Sequence, residues 1–173
     1  MGYTILTLLV LFFIVAWVHW NIKRGAKNRY AKMNAYVERE RQANLARRKE
    51  IDARLFFTAD MAALPADGFH GETEKLHALR ERTLRLAAGK MIKLDTPMSN
   101  TEIKERFGAV NLDVVTACEE RYEQFARALL DWAEALAEAG QKMEAERIVH
   151  YLQKIEAGYT KRIGQLLERT KSE

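Results

Sequence analysis

Apolar residues come in one unbroken run at the start of the chain and at helical spacing at its end, with a largely polar stretch between. Residues 3–20 read Tyr-Thr-Ile-Leu-Thr-Leu-Leu-Val-Leu-Phe-Phe-Ile-Val-Ala-Trp-Val-His-Trp, and residues 2–22 hold no charged side chain with His19 taken as neutral. About eighteen residues of helix reach roughly 27 Å, close to the ~30 Å of a bilayer's hydrocarbon layer. Trp17 and Trp20 stand where an interfacial aromatic belt would lie. The pattern therefore predicts a transmembrane anchor over residues 1–22. A cleaved signal peptide fits less well, because no basic residue precedes the apolar run and no small-x-small site follows it. A buried core helix is usually shorter, and Gly2 lacks the Ser/Thr context of a myristoylation site.

Residues 23–54 read as a basic juxtamembrane helix. Ala26, Tyr30, Met33 and Val37 form a short stripe, which fades into alternating Glu and Arg. A helix that is polar nearly all round is a solvated stalk or a short pairing segment. Residues 55–70 break the pattern. Pro65 and the Asp67-Gly68 pair are turn chemistry, and an irregular connector is expected there, with Phe56 and Phe57 packing on later helices. A strand at this point has no evident partner.

From residue 71 onward the periodicity is helical. A first helix over 71–88 has Glu72 and Glu74 early and Arg82 and Arg85 late, which complements the helix dipole. Residues 91–97 read as linker. Ser99 followed by Glu102 has capping-box spacing and opens a short helix that ends near Gly108. Asn111 is placed to cap the next helix. There Val115, Cys118, Tyr122, Phe125, Leu129, Trp132 and Leu136 recur at steps of three and four. A Gly140 turn leads to a second stripe of Ala145, Ile148, Val149, Leu152 and Ile155, forming a hairpin over 112–157. A C-terminal helix over 159–170 carries Ile163, Leu166 and Leu167. The expected fold class is all-α: a transmembrane helix, a basic stalk and a small helical-bundle domain over 71–173.

This hairpin resembles a tetratricopeptide repeat over residues 126–155. With Ala126 first, Leu129, Trp132, Ala133, Leu136, Gly140, Ala145, Val149 and Leu152 fall at the consensus places, while Ala157 stands where the family usually has Pro. The likeness covers under a fifth of the chain and a single copy. A lone repeat cannot bury its own face, so the upstream helices or a second protomer must cover it. The resemblance implies that the first helix lines a partner-binding surface, with Arg127, Leu130, Glu134 and Glu138 at the matching positions. An exposed Leu130 would suit partner contact; the alternative is that it packs under the C-terminal helix.

Charge sharpens the expected placement. The 173-residue chain has net charge +4. Residues 21–54 hold eleven basic and four acidic side chains, a local +7, so the rest sums to −3. By the positive-inside rule the N-terminus would lie outside a cell membrane and the C-terminal domain in the cytoplasm. Lys23, Arg24, Lys27, Arg29 and Lys32 would then face anionic lipid, with the bilayer itself a partner through residues 3–20. Because the basicity is local, no nucleic acid is expected. The single cysteine, Cys118, rules out an intrachain disulfide.

No catalytic or metal-binding pattern emerges. His19, His70, His77 and His150 lack ligand spacing, Cys118 lies in an apolar stripe, and no Gly-rich phosphate loop or Gly-x-Ser-x-Gly elbow occurs. Carboxylate pairs such as Glu119-Glu120 read as a solvated helix face. The expectation is a membrane-anchored protein-interaction module with no cofactor, no catalysis and an unidentified protein partner. The alternative is a self-associating structural component, with two copies paired through the stalk.

Overall fold

The computed structural model describes the backbone of residues 2–68 and 72–171 and the side chains of 11–24, 27–68 and 72–169. Its elements, in order, are α1 (Gly2–Asn44), β1 (Phe56–Phe57), α2 (Glu74–Ala87), β2 (Met91–Ile92), α3 (Asn100–Phe107), α4 (Leu112–Glu138), α5 (Lys142–Lys154) and α6 (Thr160–Lys171), with three short 3₁₀ turns.

The expected membrane anchor is overturned: among the described residues no helix is long and apolar enough to cross a membrane. The apolar run whose side chains are described, residues 11–22, spans only about 18 Å before Lys23, and it includes His19 and Asn21. The side chains of residues 3–10 lie outside the described residues. With the anchor goes the single-pass placement, N-terminus outside and C-terminal domain cytoplasmic. The bilayer contact of 3–20 and the lipid role of Lys23, Arg24, Lys27, Arg29 and Lys32 lose their basis. Those five side chains are exposed on α1.

The basic stretch is not a free stalk either. The helix stops at Asn44, and its last turns dock on α3. Arg39 donates to both carboxylate oxygens of Glu105 at 2.8 and 2.7 Å, and Glu40 accepts from Thr101 and Lys104. Ala43 is buried in this contact region. Beyond Asn44 the chain runs non-helically along the end of α3. The Lys49 amide donates to the Phe107 carbonyl, and the Ala109 amide donates to Ala46. The Asn111 side chain donates to the carbonyls of Lys49 and Phe107 instead of capping α4.

Residues 55–57 also depart from expectation. Phe56 and Phe57 pair antiparallel with Ile92 and Met91. The aromatic packing is as the sequence suggests: Phe57 meets Tyr122 edge-on at 5.0 Å and lies 6.2 Å from Phe125.

The helical part follows its pattern closely. Thr73 caps α2, and Ser99 with Glu102 forms the full capping box of α3. Gly140, at φ 77°, lets the chain leave α4 and re-enter as α5. The main core gathers Leu76, Phe125, Leu129, Leu130, Trp132, Leu136, Ile148, Leu152 and Leu166 around α4, which packs on α2, α5 and α6. A second, smaller cluster of Ile92, Ile103, Phe107, Val115 and Cys118 lies under β2 and α3. Each fully buried Leu or Phe contributes about 1.5–3 kcal/mol relative to exposure.

Candidate functional site

The α5–α6 turn is held in an uncommon backbone shape. Glu156 has φ 51°, a left-handed conformation rare for a side-chain-bearing residue, and Gly158 follows at φ 80°. Two contacts pin it. The Tyr122 hydroxyl donates to the Ile155 carbonyl at 3.0 Å, and the Lys93 ammonium lies 3.1 Å from the Glu156 carboxylate. Burial, then the nearby Tyr151 and Glu156, push the Tyr122 phenol up to about 12.

Between this turn, the first half of α4 and the segment after β2 opens a cleft of about 580 Å³. Its walls include Tyr122, Tyr159, Pro97 and Ala126, and its charged rim is Lys93, Asp95, Glu119, Glu123, Arg127 and Glu156. The volume is in the range of ligand pockets. Glu119 and Glu123 are one helical turn apart, and like charges at that spacing repel. Burial, then Glu123 and Glu120, raise the Glu119 carboxyl above its ordinary value.

The four residues singled out from the repeat pattern do not form one surface. Arg127 is exposed and lines the cleft. Leu130 is fully buried in the main core, at 0% exposure, and so offers no surface to a partner. Glu134 is bound by Arg162 of α6, and Glu138 lies 3.8 Å from Lys75 of α2. The Glu119-Glu120 pair, which the sequence pattern places on a solvated helix face, contributes Glu119 to this cleft, and Glu123 joins it there. The overlooked signal was their four-residue step to each other and to Arg127, beside the semi-buried Tyr122.

Other candidate chemistry is quiet. No group of three or more His, Cys, Asp or Glu side chains among the described residues is placed to hold a metal ion. His19, His77 and His150 are exposed, and His70 lies outside the described residues. Cys118 is free and buried.

No protein-family model, curated protein or solved structure matches the chain. The tetratricopeptide likeness of residues 126–155 accordingly stands on its residues alone. Ala133 and Ala145, small where the paired helices approach, are both fully buried.

Proposed function

We propose that this chain is a protein-interaction module, without catalysis of its own, whose binding surface is the cleft beside α4. Along α4 the charged side chains further down the helix are satisfied within the chain, whereas those at the cleft stand open. Asp131 and Glu134 share Arg162. Glu119, Glu123 and Arg127 make no ion pair among the described residues, and they face a cavity large enough for several side chains of a partner. In the family that the hairpin resembles, this helix would line the concave face, which favours the same surface.

The test is site-specific cross-linking in the full chain. A photo-activatable residue in place of Arg127 should give a discrete heteromeric product that the same residue at Arg85, on α2, does not. Equal products at both positions, or none at 127, would overturn the assignment.

A second reading, self-association through α1, is favoured by a separate observation. Phe12, Phe13, Trp17, Trp20, Tyr30, Met33 and Val37 are all exposed along α1. Exposed apolar surface on this scale marks an association site. Sedimentation of the full chain and of Met33→Glu/Val37→Glu separates the readings: loss of a multimer in the variant favours assembly, and one unchanged monomer in both removes it.

A further inference from the structure

Resting on the cleft as the binding surface, we propose that the partner segment it takes presents a basic side chain, arginine or lysine, to Glu119 and Glu123. Charge complementarity, and the way the same helix satisfies its other carboxylates, favour this occupant.

Residues 119, 123, 127, 131 and 134 follow one another along α4 at steps of four, four, four and three, so they share a face. At the far end of this row the chain supplies its own cation. The Arg162 guanidinium spans Glu134 at 3.0 and 2.7 Å and reaches Asp131 at 3.5 Å. At the cleft end the carboxylates of Glu119 and Glu123 have no such partner. The nearby cations are committed or turned elsewhere. Lys93 is paired with Glu156, and Arg121 donates to the Lys90 carbonyl. Arg127 lies within reach of the cleft but in ion-pair contact with neither glutamate. The cleft therefore holds four carboxylates, Asp95, Glu119, Glu123 and Glu156, against two cations, Lys93 and Arg127.

That local excess of negative charge sits in a chain whose net charge is +4. A basic segment is not drawn to the molecule as a whole, so the attraction is specific to this place. Tyr122 and Tyr159 line the cleft, and aromatic rings attract a guanidinium or ammonium that comes to lie over them. A cation between the two glutamates also relieves their mutual repulsion and meets the partly desolvated Glu119 carboxyl. Arg127, one turn further on, repels a second basic residue at that end. The preferred segment thus carries an isolated basic residue among neutral ones rather than a polybasic run.

The test is a titration of the ¹⁵N-labelled full chain with three peptides, Ac-Ser-Tyr-Xaa-Ser-Tyr-amide with Xaa arginine, glutamate or citrulline. The arginine peptide should shift the backbone amides of residues 119–127 and 156–159, and the other two should bind at least about tenfold more weakly. The double substitution Glu119→Gln/Glu123→Gln removes the repelling charges and keeps the fold, and it should weaken the arginine peptide about tenfold. Glu144→Gln, on α5, should leave it unchanged. If the glutamate peptide shifts these amides as strongly as the arginine peptide, the cleft still binds segments but the basic-residue inference is overturned. An unchanged arginine-peptide affinity in the double variant overturns it too. If none of the three peptides shifts these amides, the cleft itself is refuted as the binding surface.

Discussion

Arg162 of α6 lies across Glu134 of α4 in a two-pronged contact, Nε at 3.0 Å and Nη2 at 2.7 Å from the two carboxylate oxygens. The pair fastens the last helix to the central one beside the buried Ile163 and Leu166. Both side chains are partly exposed, so the coupling is modest, about 0.5–1 kcal/mol. A double-mutant cycle of Arg162→Ala and Glu134→Ala, read by urea unfolding, should return that value, and α6 amides should exchange faster in either single variant. Zero coupling would show that apolar packing alone docks α6.

Two glycines should respond in opposite directions. Gly108 sits at φ 89°, and a Cβ there would run into the carbonyl of Arg47. Gly108→Ala is therefore strained by its own backbone and pushes away the segment that follows α1, at a cost of about 1–3 kcal/mol. Gly164 lies within α6 with nothing within 4 Å of an added Cβ. Gly164→Ala should stabilise by about 0.5–1 kcal/mol, because alanine loses less backbone freedom in a helix. Thermal melts of the two variants check both signs, and a neutral Gly108→Ala would mean that the strap along α3 is dispensable.

Leu130 and Trp132 test the core assignment. Both are fully buried around α4. Leu130→Ala should cost about 2–5 kcal/mol and Trp132→Ala about 3–5 kcal/mol. Trp132 Nε1 is buried with no hydrogen-bond partner among the described residues, so Trp132→Phe should cost clearly less than Trp132→Ala. Chemical denaturation gives the ranking. A Leu130→Ala protein as stable as the parent would return Leu130 to the surface.

What was legible in the sequence was what depends on near neighbours. The step of three and four from Val115 to Leu136 marks the buried face of α4, and the Ser99–Glu102 spacing marks the start of α3. What was hidden depends on distant ones. Phe56 finds Ile92 across a long intervening segment that includes α2, so the strand pair leaves no local trace. Arg39 and Glu40 belong to a run of alternating charges that looks solvated, and only the folded chain brings Glu105, Thr101 and Lys104 to them. Leu130 falls among charged positions, yet α4 is packed on by α2, α5 and α6, so its apolar face is wider than one stripe. The opening apolar run misleads for another reason. Composition alone extends it to the length of a membrane span, whereas the described part of α1 offers too short an apolar stretch. For the cleft, the repeat likeness points to Arg127, but Glu119 and Glu123 gain meaning only when the fold sets the α5–α6 turn beside them along one cleft.

Glu119 gives the site a pH signature. Burial and the neighbouring Glu123 and Glu120 raise its carboxyl in the folded chain. A carboxyl raised on folding holds its proton more tightly in the native state. Its contribution to stability is therefore most favourable at pH below the unfolded value and is lost as pH rises through the folded one. Glu119→Gln removes that loss. The variant should melt higher than the parent at pH 7, and the difference should close as the pH falls through the carboxylate range. Paired calorimetric melts from pH 7 to pH 4 read this directly. A gap that stays constant with pH would mean that Glu119 does not titrate differently on folding, and that the repulsion assigned to the Glu119–Glu123 pair is fully screened by solvent.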